Sequence, residues 1–275
     1  MTKYSNDYTL DELMCVCISR QVIDGEVVGQ GIATPLVMAG VILARVTHAP
    51  NILIASAIGQ SICRDWSPLG LTRVEEQWLG KGLAFLTFTE IACEFMPAIR
   101  VKEFFRPAQV DAQGNFNNVF FGSNYERPRM RLPGSGGIAD VTGYNDKSYL
   151  YVPRHSRAVF VETVDFVSGL GHVSDRIDGS GPVELVSNMG LFDFANGRMR
   201  LSSFHGGQSV EKIRAKTGFE LEIAPDAQET EPPTAEEVRL LREEIDPLGI
   251  RRMETLSGAR RKRLVREILQ HENAI

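Results

Sequence analysis

A chain of 275 residues with 43% apolar and 24% charged side chains can bury one large core or two smaller ones, and its composition excludes wholesale disorder. No apolar run reaches the roughly 18–20 residues of a membrane span; the longest, Gly31 to Ala44, is broken by Pro35. The net charge of −5 divides unevenly, since residues 251–275 carry seven Lys/Arg against three Glu and leave −9 on residues 1–250, which argues against nucleic acid as the main partner.

The first seven residues hold no apolar signal core, so the expected location is cytoplasmic. The cysteines Cys15, Cys17, Cys63 and Cys93 form no CxxC pair and read as free thiols in a reducing compartment. Thr9-Leu10-Asp11-Glu12 is a capping box that opens a helix with Leu10, Leu13, Met14 and Cys17 on one face, with Gly25 at its exit. A strand at Glu26-Val27-Val28, the loop Gly29-Gln30-Gly31, a helix from Thr34-Pro35 towards Arg45 and a strand at Asn51–Ala55 follow. Strand, helix and strand in this order predict parallel pairing with a right-handed crossover.

Thr87-Phe88-Thr89-Glu90 is a second capping box, for a helix through Glu94, and Ile99 to Phe105 reads as a strand. Buried strands are expected at Tyr149–Val152 and Val159–Val167, and a hairpin turns at Asn196-Gly197. Ser209 caps a short helix ending at Gly218. Pro232-Pro233 then breaks the chain, Thr234–Glu237 caps a helix with Val238, Leu241 and Ile245 on one stripe, and Ser257–Leu269 forms a basic amphipathic helix.

Several chemistries drop out. Gly29-Gln30-Gly31 lacks the third glycine of a dinucleotide fold, where Thr34 stands, and no acid lies between His48 and Ile62 to hold a ribose. There is no G-x-S-x-G elbow, and His48, His155, His172, His205 and His271 show no metal-ligand spacing, so they read as surface or hydrogen-bonded packing residues. Gly134-Ser135-Gly136-Gly137 is more informative. Successive small residues let backbone N–H groups converge on a negative oxygen, as in an oxyanion hole, although a plain flexible turn has the same composition.

Four segments taken together resemble the β subunit of the glutaconate CoA-transferase family (family I CoA-transferases): Asp24–Val28 with its glycine turn, Gln109-Val110-Asp111-Ala112-Gln113-Gly114-Asn115, Gly134–Gly137, and Ile245-Asp246-Pro247. The resemblance spans about residues 7–250 in order. It implies an α/β fold with an open, mostly parallel sheet, helices on both faces and C-terminal helices. It also implies a CoA-transferase-like domain over residues 1–250, leaving 251–275 as a basic helical extension. It further implies an α-type partner subunit, in a heterodimer or α2β2 assembly, and an acyl-CoA substrate whose coenzyme A is the only cofactor-like group.

In that family a β-chain glutamate at the end of the second strand attacks the thioester. Here Ala55 stands at that position, and Ser56 beside it is a candidate substitute nucleophile for which no nearby residue in sequence supplies a base. The stretches Phe160–Gly171 and Val186–Phe194 look closest to the β subunit of the bacterial steroid ring-opening hydrolase, in which the catalytic glutamate is implied to come from the α chain. A glutaconyl-CoA-type decarboxylase branch also lacks the β-chain glutamate. The same resemblance puts Gln109, Arg131, Ser135, Gly136 and Gly137 at the substrate or oxyanion site. Phe116, Phe120, Phe121 and Tyr125 are candidates for a bulky pocket. The competing expectations are a true transferase using Glu75 or Glu76, and a scaffold or nucleic-acid binder acting through Arg260-Arg261-Lys262-Arg263, a run more ordinarily a solvated helix face.

Overall fold

The computed structural model describes residues 4–31 and 34–274, which form two compact units: residues up to 101 together with those from 231 onward, and the intervening stretch 102–230. Met1–Lys3, part of the stretch expected to lack a signal core, lie outside the described residues.

The first unit opens with the capping box, in which the Thr9 N–H donates to Glu12 Oε2 at 2.8 Å, and α1 spans Leu10–Arg20. The expected apolar stripe is overtaken by burial on every side. Asp11 to Ser19 are all buried, whereas Leu10 is partly exposed. Two acids enter that interior because a cation meets them: Arg251 Nε lies 2.8 Å from Asp11 Oδ2, and Arg251 Nη2 donates to Glu12 Oε1 at 2.9 Å. β1 (Val27–Gly29), α2 (Pro35–Thr47) and β2 (Leu53–Ser56) follow as read. β1 and β2 pair in parallel with Gly29 opposite Ala55. α1 and α2 touch at Gly40, where a Cβ would lie 2.7 Å from the Cys15 carbonyl oxygen, so only glycine permits the approach.

Two strands escape the sequence reading. β3 (Ser61–Cys63) runs antiparallel to β2, and after α3 (Val74–Trp78) β4 (Gly82–Phe85) runs antiparallel to β3. Each has three or four residues, too few for an alternation to register. The Thr87–Glu90 box forms, with the Thr87 N–H donating to Glu90 Oε2 at 2.7 Å, but its helix begins as a π-helical stretch, Glu90–Phe95, and only then becomes α4 (Met96–Ile99). Pro97 has no N–H for the regular ladder, which fits a wider turn just ahead of it. Arg100 at φ +53° ends the helix, so the strand expected from Ile99 starts only at Lys102.

In the second unit β5 (Lys102–Phe105) leads into two small antiparallel pairs, β6 (Gln109–Val110) with β7 (Phe116–Asn117) and β8 (Phe120–Phe121) with β9 (Met130–Arg131). α5 (Ile138–Tyr144) follows, then β10 (Ser148–Val152), which lies parallel to β5 and to β11 (Glu184–Ser187). β12 (Gly190–Ala195) and β13 (Arg198–Phe204) form the expected hairpin, with Asn196 and Gly197 both at positive φ as an Asn-Gly turn requires. α6 (Val210–Lys216) is capped by Ser209, and β14 (Glu222–Glu229), also unread in the sequence, lies parallel to β13. The segment 159–167 is a correction. It is not a strand but an irregular crossing, tied down by Val161 N–H donating to the Val110 carbonyl at 3.0 Å, and its apolar character comes from the buried Phe160 and Val164.

The chain then returns to the first unit. Thr234 and Glu237 cap α7 (Ala235–Leu240), which widens into a π-helical turn over Leu241–Ile245. α8 (Gly258–His271) buries Leu264 and Ile268 with Ile250 against Leu69, Leu71, Leu248, Met253 and Leu256. Its far end is pinned by Glu272, whose carboxylate accepts from the N–H groups of Leu71 and Thr72. The chain is thus an α/β protein with an open sheet, parallel pairs in each unit and C-terminal helices, the class its sequence implied.

Candidate active site

The second-strand position lies within the first unit. Ala55 is fully buried on β2, its carbonyl accepts from the Gln30 N–H at 2.8 Å, and across the sheet it faces Ile62 of β3. Ser56 is equally buried, and its Oγ accepts from the Gly59 N–H at 2.9 Å to close the β2–β3 turn. No histidine, lysine or carboxylate partners that hydroxyl among the described residues. A serine without a base is a poor nucleophile, so its hydrogen bond gives Ser56 a turn-closing role. Glu75 and Glu76 sit exposed on α3, and Glu76 is held by Arg73 Nε at 2.6 Å.

The remaining candidates lie in the second unit. Gln109 is buried and acts as a clamp, its Oε1 accepting from Asn117 Nδ2 at 2.8 Å and from the Asp165 N–H at 3.0 Å. The Asp111–Asn115 loop is self-tied: Asp111 Oδ1 accepts from the N–H groups of Gln113 and Asn115, and Asn115 Nδ2 donates to Asp111 Oδ2. Asn115 Oδ1 then accepts from the Gly171 N–H at 2.9 Å, which ties the loop to the 169–171 strip. Burial pushes the Asp111 carboxyl upward, against the lowering effect of these donors. The run after β5 is therefore a scaffold. Asn117 and Asn118, absent from the expected site, extend it: Asn118 Oδ1 accepts from the Ala108 N–H and its Nδ2 donates to the Arg106 carbonyl. Their signal was the polar run Asn115–Asn118 interrupted only by Phe116.

This scaffold carries the glycine loop. The Leu132 and Gly134 N–H groups donate to the carbonyls of Val119 and Asn118. Gly134 and Gly136 take φ of +106° and +51°, and Gly137 is the N-cap residue of α5. The N–H groups of Ser135, Gly136 and Gly137 meet no acceptor among the described residues. A Cβ at any of the three loop glycines would meet nothing within 4 Å. The far end of α5 is fixed by Arg176, whose guanidinium donates to the carbonyls of Thr142, Leu170 and Gly171 at 2.7–3.0 Å. Three N–H groups without an acceptor among the described residues, on an anchored turn, suit a negatively charged oxygen.

Arg131 is exposed on β9. Its guanidinium lies 4.6 Å over the Tyr125 ring and 5.7 Å over Phe120, and Nη2 donates to the Tyr125 carbonyl at 2.6 Å. Tyr125 and Phe166 pack on Phe120, with ring centroids 5.5 Å from it. Of the four aromatics expected to line a pocket, Tyr125 is exposed and Phe121 is half-buried with Arg129 above its ring, while Phe116 and Phe120 are core. Alongside lies a shallow groove of about 440 Å³ lined by Gln109, Gly122, Ser123, Arg129, Thr163 and Asp165. Within this unit Gln109, Arg131 and the glycine loop thus share one network built on residues 117–120.

Two of the histidines, His155 and His205, are buried packing residues, while His48 and His271 are exposed. His155 stacks on Phe160 with ring centroids 3.6 Å apart, between the hydroxyls of Ser187 and Thr217. His205 bridges Thr230 Oγ1 and the Ser187 carbonyl. Burial pushes their pKa values down to about 3 and about 4, so both stay neutral at neutral pH.

No family model matches the chain. The B-type subunit of glutaconate CoA-transferase from Acidaminococcus fermentans is 31% identical over 265 residues, covering 90% of this chain and 96% of that one. The IpdB subunit of the cholesterol ring-cleaving hydrolase from Mycobacterium bovis is 34% identical over 236 residues, covering 82% and 89%. Among solved structures, that of the decarboxylase AibA/AibB superposes with a TM-score of 0.79 at 30% identity, over 90% of this chain and 99% of the matched one. At this identity and coverage the chain belongs to the family of CoA-transferase B-type subunits, to which glutaconate CoA-transferase and the ring-cleaving hydrolase each contribute a member.

Proposed function

We propose that this chain is the B-type half of a heteromeric enzyme that breaks a carbon–carbon bond in an acyl-CoA thioester, by hydrolytic opening of a cyclic β-keto acyl group. The observation that supports this reading is Ala55, fully buried on β2 where the resemblance puts the family's nucleophile, with no carboxylate in its place. A transferase without its glutamate has no glutamyl-CoA intermediate, so CoA transfer is disfavoured. The reacting carboxylate comes instead from an A-type subunit.

In hydrolysis, water adds to the ring ketone and the carbon–carbon bond breaks. Its electron pair passes into the thioester enolate, which is then protonated. Charge develops on an oxygen, and the unpaired N–H groups of Ser135, Gly136 and Gly137 suit that oxygen, with Arg131 as an exposed cation for an anionic part of the substrate. Coenzyme A enters as part of the substrate. The free thiols of Cys15, Cys17, Cys63 and Cys93 fit the cytoplasm. Among the described residues no helix is long and apolar enough to cross a membrane.

Decarboxylation is the second reading, favoured by the likeness to AibA/AibB. The test is to co-purify the chain with an A-type subunit and supply a cyclic β-keto acyl-CoA and an α,β-unsaturated dicarboxylic acyl-CoA of the glutaconyl type in parallel. Mass spectrometry is expected to show addition of one water to the first. Loss of carbon dioxide from the second alone would select the decarboxylase, and CoA transfer to acetate would overturn both.

A further inference from the structure

α5 follows directly on the glycine loop, and little apolar packing holds it. It has seven residues, of which only Val141 and Thr142 are buried. A helix of two turns does not persist in water by itself. Its start continues from the loop, since the Ile138 N–H donates to the Ser135 carbonyl and the Val141 N–H to the Gly137 carbonyl. Its last turn leaves carbonyls that the helix cannot satisfy. Two of them, on Thr142 and Gly143, accept from Arg176 Nη1 at 2.7 and 3.3 Å. Nη2 of the same guanidinium donates to the carbonyls of Leu170 and Gly171 at 3.0 and 2.9 Å, and Nη1 also reaches the Asp178 carbonyl at 3.1 Å. Thr142 adds a second tie, its Oγ1 accepting from the Leu170 N–H at 3.0 Å. The strip at 170–171 is itself immobilised, because a Cβ at Gly171 would lie 2.3 Å from the Asn115 nitrogen.

Arg176 belongs to an irregular loop in which Asp175 and Ile177 are exposed, yet it is half-buried, and its Nε is buried without a hydrogen-bond partner. An arginine that served only solubility would keep its charged head in water. Here the head exchanges water for five main-chain carbonyls, and a cation at a helix C-terminus is favoured by the helix dipole as well. We infer that Arg176 is a positioning residue for the glycine loop: by clamping the last turn of α5 to the 170–171 strip, it sets where the N–H groups of Ser135, Gly136 and Gly137 stand. This rests on the proposed function, in which those groups meet the developing negative oxygen. Thr142 is five residues beyond Gly137, about 8 Å along the helix, so a tilt at one end of so short an element reaches the other. A displacement of about 1 Å can cost 10²-fold in rate. An oxyanion donor acts only as charge develops, so the loss falls on kcat rather than on KM.

The test uses the chain paired with an A-type subunit, a cyclic β-keto acyl-CoA as probe, and the amide resonances of the isotope-labelled chain. Arg176→Lys keeps the charge without the fork. It is expected to assemble and to lose about 10–10²-fold in kcat per assembled enzyme, with KM nearly unchanged. The amide resonances of Gly136 and Gly137 should shift in the same variant. Arg176→Ala should lose more, and free guanidinium should recover part of its turnover where an equal concentration of sodium chloride does not. Should Arg176→Ala fail to fold, Arg176→Lys decides. Asp175→Ala, at an exposed neighbour, should match the parent in every measure. Parental kcat in the assembled Arg176→Lys enzyme would overturn the assignment, as would a loss confined to the fraction assembled or an equal loss in Asp175→Ala. If the unaltered pair leaves the probe untouched, the functional reading fails and the resonances decide alone. Unmoved Gly136 and Gly137 signals in Arg176→Lys then overturn the positioning role, and moved ones uphold it.

Discussion

Glu103 of β5 stands opposite Ser148 of β10, and neither Glu103 Oε2 nor Ser148 Oγ has a hydrogen-bond partner among the described residues. Burial alone pushes the Glu103 carboxyl from its ordinary 4.5 up to about 7. The folded chain therefore holds this proton more tightly than the unfolded chain. Below pH 4.5 both states are protonated and nothing is lost, stability falls as the pH rises through the interval to about 7, and the full penalty persists above it. Glu103→Gln is expected to stabilise the protein at pH 8 by on the order of 2–3 kcal/mol, and hardly at all at pH 4.5. Urea melts at the two pH values check this, and an equal effect at both would refute it.

The opposite slope belongs to His155. Its pKa is depressed to about 3 by burial, so the stability that comes from keeping it neutral is present above its unfolded value near 6.5 and is lost as the pH falls from there towards 3. His155→Gln should flatten that acid limb while costing stability at pH 7 through the lost stacking on Phe160. Melting temperatures between about pH 4 and pH 7 read the slope directly.

Arg251 joins Asp11, Glu12 and Asp246 at 2.8–2.9 Å in the interior of the first unit. Burial works to lower its pKa, yet the surrounding negative groups more than offset this and leave it raised. Arg251→Ala leaves three carboxylates buried around one missing cation and is expected to cost about 3–5 kcal/mol. Arg251→Lys keeps the charge but not the forked geometry and should recover only part of that. Denaturant midpoints of both variants provide the measurement.

The glycine loop separates strain from chemistry. Gly136 has φ +51°, so Gly136→Ala should cost about 1 kcal/mol whatever its role. Gly137 has φ −85°, and a Cβ there meets nothing within 4 Å, so Gly137→Ala should melt like the parent. If these N–H groups face the thioester oxygen, turnover of the paired enzyme should still fall by about 10²-fold in Gly137→Ala. Unchanged turnover in an assembled Gly137→Ala enzyme removes the loop from the site.

Restoring the family's acid should not restore its reaction. Ala55 is fully buried opposite Ile62, so Ala55→Glu places a carboxylate in an apolar setting and should destabilise the chain by a few kcal/mol. No CoA transfer above background is expected with an A-type partner present, since misplacement by about 1 Å can cost 10²-fold. Trapping of a glutamyl-CoA thioester at high rate would show that the missing acid was the only barrier.

The first α/β passage was legible because Thr9, Glu12, Gly29 and Pro35 each mark a boundary by local chemistry, and local chemistry is what a sequence displays. The Asn196-Gly197 hairpin was legible for the same reason. β3, β4 and β14 were not, since their formation depends on pairing with neighbouring strands rather than on any pattern of their own. Residues 159–167 misled because Phe160 and Val164 are buried by neighbouring segments without joining a ladder. Among the candidate site residues, the glycine loop and Ala55 stand out in the sequence by residue identity alone. Gln109 was picked out, but its role as a clamp on Asn117 and Asp165 depends on partners 8 and 56 residues away.

The buried Arg251 imposes an order on synthesis. Residues 102–230 leave the ribosome as one uninterrupted length and can complete their unit while translation continues. Asp11 and Glu12 emerge well before them, yet the guanidinium that pairs with Glu12 follows 239 residues later. Until that residue clears the exit tunnel, α1 carries two acids that cannot be taken into the interior. An early part of the nascent chain therefore waits for a late one, because residue 251 emerges 21 residues after the last residue of the second unit.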